Sequence, residues 1–447
     1  MNRILIDLQN TSGAIKPMNA VNNGPVGGEV RKNGNFADYK ALEIPYARNH
    51  DASFLDAYGG PYTVDVLNIF RNFDADENDP DSYLFESTDI YIKNTFDAGT
   101  KTFYRLGSKI EHYYKHQTFP PMDFAKWARI CEHIIRHYNE GWANGFNYNI
   151  EYWEIWNEAD CKSADGSNPC WQGTEEEFID LYEVTAKHLK SCFPGLKIGG
   201  PAFCEPGGND FRRAFLKAVK EREIPLDFYS YHHYGKDPKE MYNTVLKGEE
   251  ALSEAGLDNN TFTILNEWNY VRGWVADDWK YSLEQEGLLK GSSFIAGTMA
   301  ICQNSSLGML MYYDFRPCRM NGVFSNLYDR LKGYYSFVMF RDLKRLGTWI
   351  PTTRIIDDSF YSCAATDGKN SGVMLTYFTD DDTQPSKDIT LDFENVKSPT
   401  GVVIKCYLLD ESHDLEIVRE EYFTSEKFSI NLKMDLYSSY YISVEQL

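Results

Sequence analysis

The 447-residue sequence lacks long apolar runs and lacks the paired cysteines of metal or redox motifs. No apolar run reaches 18 residues, which excludes a predicted membrane-spanning helix. The opening MNRILIDLQNTSGAIK has only a three-residue apolar patch ended by Asp7, unlike a signal peptide. The nine cysteines are scattered without a C-x-x-C spacing, which argues against a zinc ribbon or a thioredoxin-like motif. We therefore expect reduced thiols and a cytoplasmic location.

One alternative to fully reduced thiols stays open. Cys161 and Cys170, in the segment CKSADGSNPC, are close enough in the chain for a disulfide to close a small loop. The sequence does not decide between this disulfide and two thiols.

Positive charge is also scarce. The chain has 45 Lys and Arg against 66 Asp and Glu, a formal net charge of −21. This charge repels nucleic acid and anionic membranes, because phosphate binding needs clustered Lys and Arg. We expect neither as a partner and favour a neutral small molecule or a glycan. The 15% aromatic content suits stacking on sugars, but it suits a large hydrophobic core equally well.

Strand-like and helix-like runs alternate through the first three quarters of the chain. Thr174 is predicted to cap one helix at its N-terminus, and Gly347 is predicted to stop the last one. The alternation predicts an α/β fold with a (β/α)₈ barrel over residues 13–349. The eight strand-like runs are AIKPMNAV, ALEIPYARNH, TKTFYRLG, EYWEIWNE, LKIGGPA, LDFYSYHHYG, TFTILNEW and LGMLMYYDF.

The pattern changes after Trp349 to short alternating runs separated by polar turns. Such a pattern predicts a β-sandwich domain over residues 350–447. The opening RILIDL, within residues 1–12, is expected to pair with this sandwich. The alternating runs are SGVMLTYFTD, KDITLDFENV, GVVIKCYLLD, EKFSINLKM and YYISVEQL.

Two predicted barrel strands end on a glutamate. EYWEIWNEAD places Glu158 at the end of the fourth strand, and TFTILNEWNY places Glu267 at the end of the seventh. Barrel enzymes carry their catalytic groups at these C-terminal strand ends, so the two side chains should meet across the mouth. One carboxylic acid and one carboxylate are what glycosidic bond cleavage requires.

Each of these glutamates lies beside a tryptophan and an asparagine. Trp156 and Trp268 are predicted to wall the site against water and to raise the pKa of a carboxyl group. Asn157 is predicted to donate a hydrogen bond to a sugar hydroxyl.

These motifs resemble glycoside hydrolase family 39, the β-xylosidases and α-L-iduronidases of the retaining (β/α)₈ glycosidase clan. The similarity is carried by EYWEIWNEAD, ILNEWN, YHHYG, the segment from Val64 to Gly107, and the order of barrel before β-sandwich. The resemblance implies that Glu158 is the general acid/base and that Glu267 is the nucleophile. This sequence departs from the family pattern at Asn266, because a threonine commonly precedes the nucleophile in the family.

The same resemblance suggests further residues that bind substrate. Asn157 would bind the hydroxyl next to the reacting carbon, and the family's strand-six His-x-Tyr matches His232 and Tyr234. Tyr234 is expected to hydrogen-bond the nucleophile. The strand-two histidine of the family matches His50, with Arg48 on the same face of the strand.

Charged residues follow the eighth strand. Two roles are open for these residues, Asp314, Arg316 and Arg319. They bind hydroxyl groups or a carboxylate of the substrate, or they anchor the loop. The pair His232–His233 does not predict a metal site, because adjacent strand residues point to opposite faces. No metal and no cofactor are expected.

The predicted function is therefore a retaining exo-glycoside hydrolase, β-xylosidase-like, that acts on an oligosaccharide or glycoside by double displacement. The alternatives are a related hydrolase of other specificity (arabinosidase, galactosidase, uronidase or endo-acting) and a non-catalytic glycan-binding barrel. A homo-oligomer is compatible with the resemblance.

Overall fold

The computed structural model describes residues 2–29, 34–50, 64–108, 117–355 and 358–447. A first strand, β1 (Asn2–Asp7), precedes a closed barrel of eight parallel strands. The barrel closes where its last strand pairs with its first, with Ala20 opposite Met311 and Val21 opposite Tyr312. The barrel strands are β2 (Ala20–Asn22), β3 (Tyr46–Arg48), β4 (Lys101–Leu106), β5 (Tyr152–Ile155), β6 (Lys197–Phe203), β7 (Phe228–Gly235), β8 (Phe262–Tyr270) and β9 (Met309–Tyr312).

Helices separate successive barrel strands, which confirms the predicted (β/α)₈ fold. The Thr174 hydroxyl accepts a hydrogen bond from the backbone N–H of Glu177, and Gly347 ends the last helix with a positive φ of 88°. Both residues therefore act as predicted. The helices are α1 (Phe36–Ala41), α2 (Val66–Ile69), α3 (Glu86–Asp97), α4 (Phe124–Glu140), α5 (Glu175–Cys192), α6 (Asp210–Glu221), α7 (Pro238–Glu254), α8 (Ala276–Glu286), α9 (Leu289–Gln303) and α10 (Lys332–Leu346).

The barrel interior has an apolar layer with polar side chains above it. Residues such as Phe103, Phe228, Ile264 and Met311 form a separate buried cluster contributed by different barrel strands. Arg48, at the end of β3, belongs instead to a buried polar group. The apolar layer closes the barrel below, so the polar groups lie toward the C-terminal mouth, where barrel enzymes carry their sites.

Two antiparallel-rich sheets follow the barrel and share a second hydrophobic core. One sheet has the order β11-β1-β14-β17, and the other has the order β10-β12-β13-β18-β15-β16. β1 pairs in parallel with β14 and antiparallel with β11. The strands are β10 (Thr348–Ile350), β11 (Thr353–Ile355), β12 (Phe360–Thr366), β13 (Ser371–Tyr377), β14 (Lys387–Glu394), β15 (Val402–Leu409), β16 (Asp414–Phe423), β17 (Phe428–Met434) and β18 (Ser439–Gln446).

We propose a division of the chain into residues 1–12, 13–349 and 350–447, with β10 crossing the second boundary. The barrel and the sandwich are joined by a shared core and by polar contacts. Ser293 of α9 hydrogen-bonds Thr376 of β13 at 2.7 Å between their hydroxyl oxygens. The fully buried ammonium of Lys290 lies 3.0 Å from Asp380 and 2.9 Å from Asp382.

The elements differ from the expected ones in a few places. The predicted first strand, AIKPMNAV, forms β only from Ala20. The elements that were not foreseen are α1, α2, α8, β10, β11, β12 and β16. Within the described ranges, none of the helices combines the length and the apolar character needed to cross a membrane.

Candidate active site

Glu158 and Glu267 meet at the mouth of the barrel. Glu158 lies in the turn after β5, where its backbone N–H donates to the Ala202 carbonyl at 2.9 Å. Glu267 lies within β8. One carboxylate oxygen of each residue lies within 4.8 Å of the other. Retaining glycosidases hold their two carboxyl groups about 5–5.5 Å apart, because the nucleophile must reach the sugar directly.

A β-bulge aims Glu267 into the barrel. In the pairing of β7 with β8, Tyr231 lies opposite Leu265 and His232 lies opposite Glu267, so Asn266 is the extra residue. Asn266 therefore also faces inward, where its amide donates to Glu154 at 2.6 Å. Bulges of this kind commonly redirect a side chain beside an active site.

Three donors surround the Glu267 carboxylate. Arg48 Nη1 donates to Oε1 at 2.8 Å, the Tyr234 hydroxyl donates to Oε2 at 2.8 Å, and His50 Nε2 lies 3.0 Å from Oε1. Burial alone would raise the pKa of Glu267, but the charges of His232 and His50, a hydrogen bond from His50 and the charge of Arg48 lower it well below its usual value. The group is thus held as a carboxylate.

Arg48 organises the floor of the site rather than facing a ligand. Its guanidinium is fully buried, and its Nε donates to Glu154 at 2.6 Å. Its Nη2 donates to the Asn157 amide oxygen at 2.7 Å, and its Nη1 also donates to Asn22 at 3.1 Å. The expectation that Arg48 binds substrate is therefore corrected, because its donors are directed at protein oxygens.

His232 bridges the two carboxyl groups. Its Nδ1 lies 2.7 Å from Glu158 Oε1, and its Nε2 lies 3.4 Å from Glu267 Oε1. Burial, only partly offset by the charge of Glu267, lowers the pKa of His232 to about 4. His232 is therefore neutral near pH 7 and gains charge only in the acidic range, where that charge resists protonation of Glu267.

The pKa of Glu158 is shifted in the direction opposite to that of Glu267. Burial, followed by the negative charge of Glu267, raises the pKa of Glu158 well above its usual value. Among the described residues, no Lys or Arg is paired with Glu158, whereas Arg48 is paired with Glu267. The surroundings thus favour the protonated form of Glu158 and the ionised form of Glu267, which is the arrangement an acid and a nucleophile need.

Asn157 keeps one donor available. Its amide oxygen accepts from Arg48, which fixes the orientation of the amide. Its buried Nδ2 has no hydrogen-bond partner in the described part of the chain. An unsatisfied buried N–H is costly, so a ligand hydroxyl at this position would remove a penalty.

The two tryptophans do not wall the cavity, which corrects that expectation. Trp268 follows Glu267 in an extended strand, so it faces the opposite side of β8 and packs on Phe294 and Tyr312. Trp156 is buried, and its indole N–H donates to the Cys170 carbonyl. Both rings support the strands from behind.

The loop after β9 is anchored by its own charges. Asp314 is fully buried, accepts from the Asn23 amide at 2.9 Å and from the Arg316 backbone N–H at 2.8 Å. Arg316 Nη2 lies 3.2 Å from Asp314 Oδ2. Of the two readings for these residues, loop anchoring describes Asp314, which has no exposed surface with which to contact a sugar.

Residues that the sequence interpretation missed complete the site. Tyr313, the first residue after β9, packs edge-on against His50 with ring centroids 5.4 Å apart. Trp274 packs on Tyr234 at 5.1 Å and is 56% exposed, so it lies at the rim. Tyr313 was detectable as an aromatic residue at a barrel strand end, but Trp274 lies in a loop that no motif marks.

Cysteines surround Glu158. All nine cysteines lie in described ranges and none forms a disulfide, so Cys161 and Cys170 are both thiols. The Cys170 sulfur lies 3.9 Å from Glu158 Oε2.

Comparison with known proteins agrees with this geometry. The model of the glycosyl hydrolases family 39 matches residues 3–267, more than half of the chain. The chain belongs to this family. A Geobacillus stearothermophilus protein described as a beta-xylosidase is 29% identical over 185 residues, which cover 38% of this chain and 34% of that protein. The matched region thus spans about a third of that relative.

Solved structures extend the similarity of this family 39 chain to its full length. A glucosidase from Croceicoccus marinus has a TM-score of 0.81 at 18% identity, covering 100% of this chain and 99% of the other. A monomeric beta-xylosidase from Caulobacter crescentus has a TM-score of 0.76 at 15% identity, covering 100% of both chains. At such identities the comparison shows the fold, a barrel with an attached β-sandwich.

Proposed function

We propose that this family 39 chain is a retaining exo-glycoside hydrolase of β-xylosidase type. The supporting observation is that two carboxylate oxygens of opposite protonation tendency lie within 4.8 Å of each other at the barrel mouth. A glycan-binding barrel without catalysis would not require this pair to be both close and oppositely tuned.

The first step forms a bond between the Glu267 carboxylate oxygen and the anomeric carbon. The bond from that carbon to the leaving oxygen breaks, and Glu158 transfers its proton to that oxygen. His50, Arg48 and Tyr234 hold the attacking carboxylate in position. The Nδ2 of Asn157 donates to the hydroxyl beside the reacting carbon.

In the second step the ionised Glu158 takes a proton from water. The water oxygen bonds to the anomeric carbon, and the bond to Glu267 breaks and regenerates its carboxylate. Two inversions at one carbon leave the sugar in its original configuration.

Azide rescue tests the two roles separately. Glu267→Ala should lose at least about 10⁴-fold in kcat on an aryl β-xyloside, because the nucleophile is gone. Added azide should restore turnover and give a glycosyl azide of inverted configuration. Glu158→Ala should give the azide of retained configuration, because azide then attacks the glycosyl-enzyme.

The matched control is Glu176→Gln, an exposed carboxylate on α5 that pairs with Arg222. It should leave kcat unchanged. Wild-type activity in Glu267→Ala, or a first product of inverted configuration by NMR, would contradict the proposal.

Other specificities within the family are the second candidate. The β-xylosidase assignment is supported by the Geobacillus stearothermophilus relative. Recognition of a uronate would need a cation facing the ligand, and Arg316 is already paired with Asp314. A panel of aryl xyloside, arabinoside, galactoside, glucoside and uronide substrates would rank these by kcat/KM.

We further infer that the protein is cytoplasmic and has no nucleic-acid partner. We also propose that the chain can form a homo-oligomer. Nine reduced thiols suit a reducing compartment, and the net charge of −21 disfavours phosphate backbones. Sedimentation of the purified chain would establish its oligomeric state.

A further inference from the structure

A second group of metal-type donors adjoins Glu158. The Cys161 sulfur, the Cys204 sulfur and one carboxylate oxygen of Glu158 all lie within 4.8 Å of one another. The two thiols also hydrogen-bond each other. Neither thiol belongs to the proposed glycosidase chemistry.

Hydrogen bonds of the backbone N–H groups fix the chain at both cysteines. Cys161 lies in the turn that begins at Glu158, and its N–H donates to the Glu158 carbonyl at 2.9 Å. Cys204 directly follows β6, and its N–H donates to Asp160 at 2.9 Å. Asp160 is held in turn by Arg212, whose Nε donates to it at 2.6 Å. The backbone positions of both cysteines are therefore built into the fold.

This donor set fits a thiophilic divalent cation. Zn²⁺ binds thiolate sulfur at about 2.3 Å and carboxylate oxygen at about 2.0–2.2 Å, usually with four ligands. Two sulfurs and one oxygen within 4.8 Å can surround one such ion after small side-chain rotations, with water in the fourth position. Mg²⁺ and Ca²⁺ prefer oxygen ligands, so they should not compete.

We propose that Cys161, Cys204 and Glu158 form an inhibitory Zn²⁺ site. The ion displaces one proton from each thiol and the proton of the Glu158 carboxyl group, all three released to solvent, so Glu158 has no proton to give to the leaving oxygen. The binding stands on the donor geometry alone, whereas the inhibition rests on the acid/base role proposed for Glu158. The ion is an inhibitor here and not a cofactor.

Two other donor groups, found among the residues that the structure describes, provide the discriminating comparisons. Glu132, His188 and Cys192 lie on α4 and α5, and His188 Nε2 already lies 2.7 Å from Glu132. Glu158, His232 and Glu267 form the third group, which contains no thiol. Cysteine variants therefore distinguish the three groups.

Direct metal binding is measured first, on the full chain stripped with a chelator and kept reduced. Co²⁺ should give thiolate charge-transfer absorption, which ZnCl₂ then displaces. Cys161→Ser and Cys204→Ser should each lose this absorption and bind Zn²⁺ more than about 100-fold more weakly, since even second-shell changes cost about 10- to 100-fold. Cys192→Ser, the matched control, should retain both. Circular dichroism verifies that each variant is folded.

Inhibition is measured second, with an aryl glycoside and increasing ZnCl₂. The wild type and Cys192→Ser should be inhibited and then recover with EDTA, while the remaining activity of Cys161→Ser and Cys204→Ser should be insensitive. Equal inhibition in all four proteins, or thiolate absorption that survives both active-site serine variants, would overturn the proposal. Binding is scored even if no glycoside is hydrolysed, so its failure is distinct from that of the proposed function.

Discussion

Glu158 and Glu267 are both buried, yet their surroundings shift their carboxyl pKa values in opposite directions. Glu267 receives hydrogen bonds from Arg48 and Tyr234, which favour the anion. Glu158 contacts neutral His232 and the Cys170 thiol, which do not compensate a buried charge. A difference in partners, and not in exposure, separates an acid from a nucleophile in this site.

The pH dependence of kcat/KM should follow from this difference. Activity should fall as pH rises through the raised pKa of Glu158, because the proton donor is lost, and fall as pH decreases through the lowered pKa of Glu267. We expect a broad bell-shaped profile whose alkaline limb lies well above pH 4.5. An alkaline limb near the usual glutamate pKa would contradict it. The titratable groups facing Glu158 among the described residues are His232, His50, Glu267, Tyr234, Asp160, Cys161, Cys170 and Cys204.

We expect Tyr234→Phe to lower activity through its effect on the Glu267 carboxylate. Loss of the 2.8 Å hydrogen bond removes a donor to the carboxylate, which raises the pKa of Glu267 and moves the acid limb to higher pH. We expect kcat to fall by about 10²-fold, the usual effect of removing one donor from a preorganised charge. A lower kcat with an unmoved acid limb would indicate a structural role only. Tyr242→Phe, on α7, is the control.

At the scale of elements, the position of Glu158 depends on the segment between β5 and α5. Thr174 caps α5 with a capping box, in which its hydroxyl accepts from the Glu177 N–H and the Glu177 carboxylate accepts from the Thr174 N–H. The Trp171 indole donates to the Thr174 carbonyl at 2.8 Å, and Trp171 packs on Trp156. The cap thus fixes the end of the segment that carries Glu158.

Thr174→Ala should lower the free energy of unfolding by about 1 kcal/mol, because the backbone N–H of Glu177 loses its hydrogen-bond acceptor. Thr174→Ser keeps the hydroxyl and should retain most of the stability. Urea unfolding followed by circular dichroism would measure both. Equal stability of the alanine and serine variants would show that the cap contributes nothing.

The elements were more predictable than the side-chain arrangement. Apolar runs at the strands and amphipathic runs at the helices place Glu158 and Glu267 at the correct strand ends, since these patterns are local. The bulge at Asn266 carries no local signal, and Trp268 was assigned to the site wall although it faces the helices. Glu154 was missed because its role depends on Arg48, about a hundred residues earlier.

At the scale of the whole molecule, Lys290 ties the barrel to the sandwich. Its side chain is fully buried on α9, and its ammonium contacts Asp380 and Asp382 beyond β13. The ammonium also lies 5.0 Å from the ring centroid of Tyr281. The two parts are therefore expected to unfold together.

Lys290→Met should lower the free energy of unfolding by about 2 kcal/mol. That is less than the roughly 3–5 kcal/mol for breaking a fully buried pair, because Asp382 is 47% exposed and stays partly hydrated. Lys280→Met, whose lysine is 75% exposed, is the control and should change stability little. Calorimetry would measure the shift, and an unchanged midpoint for Lys290→Met would refute the role.

The pairing of β1 with β14 has a consequence for biosynthesis. Residues 2–7 lie beside residues 389–394, so this sheet cannot be completed until the ribosome has translated nearly four hundred residues in between. The barrel strands can assemble earlier, because each pairs with a nearer neighbour in sequence. Until β14 emerges, the backbone N–H and C=O groups of nascent β1 therefore lack their partners on this strand. We expect this strand to be where chaperones engage the growing polypeptide.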